Sequence, residues 1–244
     1  MARIFITGSA DGLGQMAANL LIQQGHQVVL HARNAERGRQ ALKKTPGAEG
    51  VLTADLSNID ETKGLAEKVN ESGLFDAVIH NAGAYKTSAK QIFNVNTLAP
   101  YILTSLIRKP KRLIYLSSGM HSGGRPNLEY FKTNVDRISY SDSKLHVIML
   151  TLAVARKWPD IYSNAVDPGW VPTKMGGRNA PDDLQKGYET QSWLAVSDDE
   201  EAKVSGRYFF HRKERQYNSL AADVTLQEKL TSLLEGITGV SFIG

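Results

Sequence analysis

The feature that most constrains this chain is a glycine-rich turn near its start, Thr7-Gly8-Ser9-Ala10-Asp11-Gly12-Leu13-Gly14. It follows an apolar run at residues 4–6 and leads into residues 13–24, where apolar side chains recur every three to four positions. This order predicts a strand, a turn and a helix whose free N–H groups can bind a pyrophosphate, because glycine lets the backbone approach a ligand closely. A tight turn that binds no ligand is the alternative, and the turn alone does not decide between them.

Composition excludes several classes of protein. The 244 residues are 22% charged and 41% hydrophobic, as in an ordinary globular chain with a full core. The net charge is +4 and the densest basic cluster, residues 108–112, is too short to indicate a nucleic-acid surface. There is no cysteine, so disulfides and thiolate metal sites are excluded. No apolar run reaches membrane-spanning length and no signal peptide precedes the first strand, so we expect a soluble, cytoplasmic protein that does not bind membranes.

Strand and helix patterns alternate along the chain, which predicts the α/β class. We expect one Rossmann-type domain, residues 1–244, with a doubly wound parallel sheet of about seven strands and helices on both faces. Residues 174–190 are expected to form a substrate loop and residues 191–244 a C-terminal extension. The strands are predicted at residues 4–6, 28–30, 51–53, 77–79, 112–116, 162–166 and 206–210, and the helices at 13–24, 35–43, 59–70, 92–107, 141–157 and 223–234.

The end of the second strand indicates which dinucleotide would be bound. In a fold of this kind an acid at this position binds the ribose 2′-hydroxyl, whereas an arginine accommodates a 2′-phosphate. The chain has His31-Ala32-Arg33-Asn34 here, with one arginine and no carboxylate. This favours NADP(H), with NAD(H) and a surface role for Arg33 as alternatives. Asp55 and Leu56, after the third strand, suit a contact with adenine, or Asp55 caps the next helix.

A tyrosine and a lysine four positions apart, Tyr140 and Lys144, begin a helix that is apolar almost all round. This spacing places both side chains on one face of the helix. Free tyrosine and lysine have pKa values near 10, but an ammonium group and an oxidised nicotinamide ring close to the phenol would favour the phenolate. The pair can then exchange a proton with a substrate, and Ser117-Ser118, at the end of the fifth strand, supplies hydroxyls that could orient a carbonyl.

Together these motifs are similar to those of the short-chain dehydrogenase/reductase family. The order T-G-x-x-x-G-x-G, N-A-G, V-N, S-S, Y-x-x-x-K and D-P-G resembles that family over about residues 2–175. The resemblance implies an NADP(H)-dependent oxidoreductase that interconverts a small-molecule carbonyl and an alcohol. It also implies which residues contact the cofactor: Gly8, Ser9, Asp11, Gly12, Leu13, Gly14, Arg33, Asp55, Leu56, Asn81, Ala82, Gly83, Tyr140, Lys144, Pro168, Gly169, Val171 and Thr173.

The resemblance further implies four catalytic roles. Asn96 would hold a water molecule in a proton relay, and Ser118 would donate a hydrogen bond to the substrate carbonyl. Tyr140 would exchange the proton, while Lys144 would bind the nicotinamide ribose and lower the pKa of Tyr140. No metal site is expected, since His80 has no acidic or histidine partner at metal spacing.

Residues 192–197 and 204–209, together with the 22 positions from Ser118 to Tyr140, are similar to the retinol-dehydrogenase and carbonyl-reductase-like branch. That branch prefers NADP(H). Two features depart from it: Asp11 stands where many NADP-using relatives have a basic residue, and the segment from Gly83 to Asn96 is short. The short segment argues against a membrane-bound retinol enzyme.

Two other functions, the oligomeric state and the roles of a few further residues stay open at this stage. A regulatory protein that senses a dinucleotide without catalysis is disfavoured by the retention of Tyr140 and Lys144, and a sugar-nucleotide epimerase would need a larger substrate domain. The apolar helix after Tyr140 allows a homodimer, although the long segment before it could cover the same face and leave a monomer. His121 and His146 flank catalytic positions and could touch substrate, and Trp170 could form a wall of the nicotinamide pocket.

Overall fold

The computed structural model describes residues 1–242 and confirms the doubly wound α/β fold. One sheet contains eight strands in these residues, in the order β3-β2-β1-β4-β5-β6-β7-β8. Seven strands are parallel, and the short β8 runs antiparallel to β7. The strands are β1 Arg3–Ile6, β2 Gln27–Ala32, β3 Gly50–Thr53, β4 Ala77–His80, β5 Arg112–Leu116, β6 Tyr162–Asp167, β7 Arg207–Phe210 and β8 Lys213–Glu214.

Helices cover both faces of the sheet, as predicted. Along β1, Ile4 and Ile6 pack into one layer and Phe5 into the other, because successive strand residues point to opposite faces. The helices are α1 Gly12–Gln23, α2 Ala35–Lys44, α3 Ile59–Glu71, α4 Ala89–Phe93, α5 Ala99–Leu106, α6 Tyr130–Thr133, α7 Tyr140–Lys157, α8 Leu184–Val196 and α9 Val224–Thr238. The layer beside Ile4 contains α1, α2 and α8, and the layer beside Phe5 contains α3, α5, α7 and α9.

Strand β8 and helix α6 were not predicted, and two predicted segments have a different structure. The helix predicted over residues 92–107 consists of α4 and α5 joined by a π-helical segment, Asn94–Leu98. The segment predicted as a loop, 174–190, is irregular only as far as Asp183, whose side chain caps α8 by accepting a hydrogen bond from Lys186 N at 3.0 Å. The sequence did not predict the first turns of α8, because its buried face includes the polar residues Thr190 and Gln191 and so lacks a regular apolar pattern. The role of the segment as a substrate loop stays a prediction.

Helix α7 is buried by the chain itself. All residues from 142 to 154 are buried, and α9 packs against this helix together with strand β6. The apolar character of α7, which suggested a subunit interface, therefore needs no second copy of the chain to explain it. None of the helices within residues 1–242 is long and apolar enough to cross a bilayer.

Candidate active site

A cleft of about 460 Å³ lies along the edge of the sheet where the parallel strands end. Ligands of open parallel sheets bind at this edge. Most of the residues predicted to contact a cofactor line the cleft: Gly8, Asp11, Gly12, Leu13, Arg33, Asp55, Leu56, Asn81, Ala82, Gly83, Tyr140, Lys144, Pro168 and Thr173.

The glycines of the turn have different tasks. Gly8 and Gly12 have φ values of 64° and 58°, which residues with side chains rarely adopt. A Cβ at Gly8 would lie 2.8 Å from Ala82 Cα, and one at Gly14 would lie 2.3 Å from Asn81 Nδ2. A Cβ at Gly12 would meet no atom within 4 Å, so space for a ligand lies in front of this residue at the N-terminus of α1. This arrangement fits a pyrophosphate.

Four of the predicted contact residues do not line the cleft: Ser9, Gly14, Gly169 and Val171. Ser9 is fully buried, and its hydroxyl donates to Ile6 O at 2.8 Å and accepts from His31 N at 2.9 Å. The side chain thus ties β1 to β2 and is not directed at a ligand. Asn81 donates through Nδ2 to Thr7 O at 2.9 Å and Gly8 O at 3.1 Å, so it joins the end of β4 to the glycine turn.

One end of the cleft carries two arginines, each with a carboxylate partner. Arg33 contacts Asp55 at 2.6 Å, and Arg37 contacts Asp11 at 2.6 Å. Lys174 also lies 3.5 Å from Asp11. We refer to Asp11, Arg33, Arg37 and Asp55 as the arginine end. Sequence reasoning missed Arg37, although its place in the first turn of α2, four residues after Arg33, was a usable signal.

His31 fixes the backbone below the arginine end. Its Nδ1 accepts a hydrogen bond from Gly8 N at 2.9 Å, so its Nε2–H donates to Ala54 O at 3.1 Å. Burial lowers the pKa of His31 to about 4, which keeps the ring neutral at physiological pH. A neutral histidine therefore links the glycine turn to the ends of β2 and β3.

Two of the four predicted catalytic residues, Tyr140 and Lys144, line the other end of the cleft, which we call the tyrosine end. The other two, Ser118 and Asn96, lie beside it: Ser118 forms a hydrogen bond with Tyr140, and Asn96 Oδ1 lies 3.7 Å from the place a Cβ would take at Gly83. Tyr140 is the first residue of α7, and Ser139 with Asp142 forms a capping box at that point. Ser139 Oγ accepts from Asp142 N at 3.1 Å, and the Asp142 carboxylate accepts from Ser139 N at 2.9 Å. Because both bonds fix the start of the helix, the phenol has a defined position.

Lys144 forms a hydrogen bond with the last residue of β5, two positions before Ser118. Its Nζ donates to Leu116 O at 2.8 Å and lies 5.5 Å from the centroid of the Tyr140 ring. Ser117 Oγ donates to Lys144 O at 2.9 Å, so β5 and α7 are joined twice. Burial lowers the pKa of Lys144 to about 8, and the ammonium form still dominates at neutral pH.

The Tyr140 phenol is protonated at neutral pH in the protein alone. Burial raises its pKa to about 12, and a hydrogen bond with Ser118 acts in the opposite direction without cancelling the effect. In the protein alone, burial thus keeps the phenol protonated. A further positive charge is needed before the phenolate becomes accessible near neutral pH. The ring of Tyr85 packs on Tyr140 with centroids 4.6 Å apart.

Asn96 lies inside the π-helical segment and joins the two sides of the site. Its Oδ1 accepts from Ala84 N at 2.7 Å, and its Nδ2 donates to Ala84 O and to Ser143 Oγ, both at 3.0 Å. It is 1% exposed. The side chain therefore braces the segment after β4 against α7, and π-helical turns of this kind are frequent at functional sites.

The three histidines of uncertain role all have partners in the protein. His121 donates through Nδ1 to Ser118 O at 2.7 Å, and its Nε2 accepts from Asn218 N at 3.2 Å. His146 lies 2.6 Å from Pro126 O, and His80 stacks on Tyr115 with centroids 4.7 Å apart. His121 thus links the backbone of Ser118 to that of Asn218. Within residues 1–242, no group of three metal-ligating side chains could hold a metal ion.

Comparison with known proteins shows the family of this chain. A family model described as short chain dehydrogenase matches residues 2–120, and an uncharacterized oxidoreductase of Emericella nidulans is 45% identical over the whole of both chains. The chain belongs to the short-chain dehydrogenase/reductase family. Retinol dehydrogenase 14 of Mus musculus is 27% identical, with 97% of this chain and 86% of that protein covered, in agreement with the resemblance to the retinol-dehydrogenase branch.

Solved structures share the fold. A protein from Mycobacterium paratuberculosis of unassigned function superposes with a TM-score of 0.83 at 23% identity, covering 100% of this chain and 96% of that one. A short chain dehydrogenase from Shigella flexneri, solved in complex with NADP, gives a TM-score of 0.68 at 21% identity and covers 87% of this chain and 97% of that one. This short-chain dehydrogenase/reductase is thus an oxidoreductase with a nicotinamide dinucleotide cofactor.

Proposed function

We propose that the chain is an NADP(H)-dependent oxidoreductase that interconverts an aldehyde or ketone and the corresponding alcohol, with Tyr140 as general acid and base. One observation carries the proposal: a single cleft joins the glycine turn and two arginines to Tyr140 and Lys144. The cleft thereby offers a binding place for a phosphorylated dinucleotide at one end and a proton donor at the other.

The bound cofactor supplies or accepts the hydride. The Ser118 hydroxyl orients the substrate carbonyl, and the Tyr140 phenol gives its proton to the carbonyl oxygen in reduction or removes the alcohol proton in oxidation. Lys144 holds a positive charge beside the phenol that stabilises the developing phenolate. Asn96 keeps the segment after β4 against α7, and its role in a proton relay stays part of the proposal.

The preference for NADP(H) rests on Arg33 and Arg37, which both line the cleft beyond the end of β2. A 2′-phosphate carries up to two negative charges and is bound well by guanidinium groups. Since each arginine is paired with a carboxylate, a 2′-phosphate must compete with Asp55 and Asp11 for them. NAD(H), which has a 2′-hydroxyl, gains nothing from displacing these carboxylates.

An NADPH-oxidation screen over classes of aldehydes and ketones tests the proposal, with NADH alongside. Turnover with at least one carbonyl compound, faster with NADPH than with NADH, is expected. Tight binding of NADPH with no turnover on a broad panel would contradict the proposal and favour the alternative, a regulatory protein that senses the dinucleotide. The alternative has the weaker support because Ser118, Tyr140 and Lys144 are all retained.

Two accompanying predictions concern the whole protein. We propose a cytoplasmic location, which cell fractionation checks. A homodimer also stays a prediction, and α7 gives no support for it because that helix is buried within the chain. Sedimentation of the purified chain distinguishes a dimer from a monomer.

A further inference from the structure

One acidic side chain, Asp167, lies behind the tyrosine end and has no place in the mechanism above. It is the last residue of β6 and directly precedes Pro168 of the cleft. Its Oδ1 accepts a hydrogen bond from Gly169 N at 2.9 Å, and its Oδ2 accepts one from the Tyr208 hydroxyl at 3.2 Å. A Cβ at Gly119 would lie 3.0 Å from Oδ2. The carboxylate is therefore held in one position by β7 and by the turn after Ser118.

The partners of Asp167 do not neutralise it. Both hydrogen-bond donors, a backbone N–H and a phenol, are uncharged, and Asp167 is absent from the ion pairs formed within residues 1–242. Its charge is thus felt by its neighbours. Partly buried charges are screened less by solvent than surface charges, so a fixed carboxylate in this place acts on the whole tyrosine end.

The carboxylate contacts Tyr208 directly and lies against Gly119, whose neighbour Ser118 forms a hydrogen bond with Tyr140. Its charge also acts on Tyr140 and Lys144 of α7 and on His121, and Tyr85 is a further titratable group beside Tyr140. Burial is the largest influence on the pKa of Tyr140, Lys144 and His121, and the carboxylate adds to it or opposes it. Asp167 adds to the effect of burial that raises the pKa of Tyr140 to about 12, and it opposes the effect of burial that lowers the pKa of Lys144 to about 8. It likewise opposes the lowering of the pKa of His121 by burial. In all three cases the carboxylate favours the protonated form of the group.

We propose that Asp167 is a positioning residue that keeps Tyr140 a neutral phenol and Lys144 an ammonium ion, and thereby favours carbonyl reduction over alcohol oxidation at neutral pH. The inference rests on the proposed function. In reduction, hydride adds to the carbonyl carbon while the phenol proton moves to the carbonyl oxygen, so Tyr140 must begin protonated. In oxidation, the alcohol proton moves to the phenolate while hydride leaves the carbinol carbon, so Tyr140 must begin ionised.

Direct titration of Tyr140 tests the proposal without turnover. The protein is labelled with ¹³C at the tyrosine Cζ, NADP⁺ is bound, and the Tyr140 resonance is assigned by its absence in Tyr140→Phe. In Asp167→Asn the midpoint of the Tyr140 titration should fall by about one pH unit, because a nearby negative charge has been removed. Tyr208→Phe is the matched control, since it removes a hydrogen bond to Asp167 and keeps the charge. Its midpoint should stay close to that of the wild type.

The pH profile of alcohol oxidation gives a second readout. Both limbs should move to lower pH in Asp167→Asn, the acidic limb through Tyr140 and the alkaline limb through Lys144, and the oxidation-to-reduction ratio at pH 7 should rise about tenfold. A merely structural role would lower both rates and leave the limbs in place.

An unchanged Tyr140 midpoint in folded, NADP⁺-binding Asp167→Asn overturns the proposal about Asp167 and leaves the proposed function intact. If Asp167→Asn does not fold, Asp167→Ser gives a smaller neutral replacement and decides the same question. If the wild type binds NADP⁺ but turns over no carbonyl compound, the proposed function fails, while the titration still reports whether Asp167 sets the charge of Tyr140.

Discussion

At the arginine end of the cleft, Arg33 and Arg37 are 56% and 46% exposed, and each contacts one carboxylate. At the tyrosine end, Lys144 is 4% exposed and donates to a backbone carbonyl. Exposed ion pairs contribute about 0–1 kcal/mol and exchange partners readily, whereas a buried polar group that loses its partner costs much more. The choice of cofactor should therefore be easy to alter by substitution, and the chemistry should not.

The largest expected effect comes from removing the Tyr140 hydroxyl. Tyr140→Phe should reduce turnover about 10³-fold, because the proton donor is lost while the ring and its packing on Tyr85 are kept. The affinity for NADPH, measured by fluorescence titration, should change little. Tyr85→Phe is a matched control that removes a neighbouring hydroxyl, and it should retain most of the activity. Equal losses in both variants would contradict the assignment of Tyr140.

Lowering the pH tests whether His31, below the arginine end, is held in the fold as a neutral ring. Burial lowers the folded-state pKa of His31 to about 4 and that of His146 to about 4, against an ordinary value of 6.5. Between pH 6.5 and 4 the unfolded chain binds protons that the folded chain does not, so the free energy of unfolding should fall as the pH falls. Each histidine contributes a slope of up to about 1.4 kcal/mol per pH unit.

Urea unfolding at pH 7, 6, 5 and 4.5 measures this loss. His31→Gln, which removes the titrating ring, should show a shallower pH dependence than the wild type. An identical pH dependence in His31→Gln would mean that the ring does not link the glycine turn to β2 in its neutral form.

Next in size is the effect of Arg37. Arg37→Ala should weaken NADPH binding by roughly 10- to 100-fold, because a charge-assisted contact to the 2′-phosphate contributes about 1.5–3 kcal/mol. NADH binding should change less than threefold. Arg39→Ala, on the same helix but absent from the cleft, is the matched control. If Arg37→Ala weakens both cofactors equally, the residue supports the glycine turn through Asp11 instead of recognising a phosphate.

The same contrast explains what the sequence could predict. The sheet and the Tyr140–Lys144 pair follow from local patterns: apolar runs, the spacing of four, and the breaks at glycine. The contacts of Arg37 and Lys174 with Asp11, and of His31 with Gly8 and Ala54, join segments that are separate in the chain, so no local pattern predicts them.

Other features that the sequence did not predict have physical reasons as well. Ser9 lies within the glycine turn, yet its side chain points into the protein because β1 and β2 need a polar link at that point. Helix α8 was missed because it buries polar side chains, and periodicity of apolar residues is the signal by which a helix is recognised. The pKa of Tyr140 depends on burial, which a residue spacing does not report.

The smallest expected effect concerns Asp11, the residue of the glycine turn that departs from NADP-using relatives. Asp11 holds Arg37 at 2.6 Å and Lys174 at 3.5 Å, so it occupies one cation that a 2′-phosphate would use and adds a negative charge nearby. Asp11→Ser should therefore strengthen NADPH binding about three- to tenfold, corresponding to about 1 kcal/mol for an exposed pair, and leave NADH binding nearly unchanged. Raising the salt concentration should shrink the difference, because exposed charges are screened. Weaker NADPH binding in Asp11→Ser would reverse the interpretation: the carboxylate would then position Arg37 for the phosphate instead of competing with it, and the arginine end would be as preorganised as the tyrosine end.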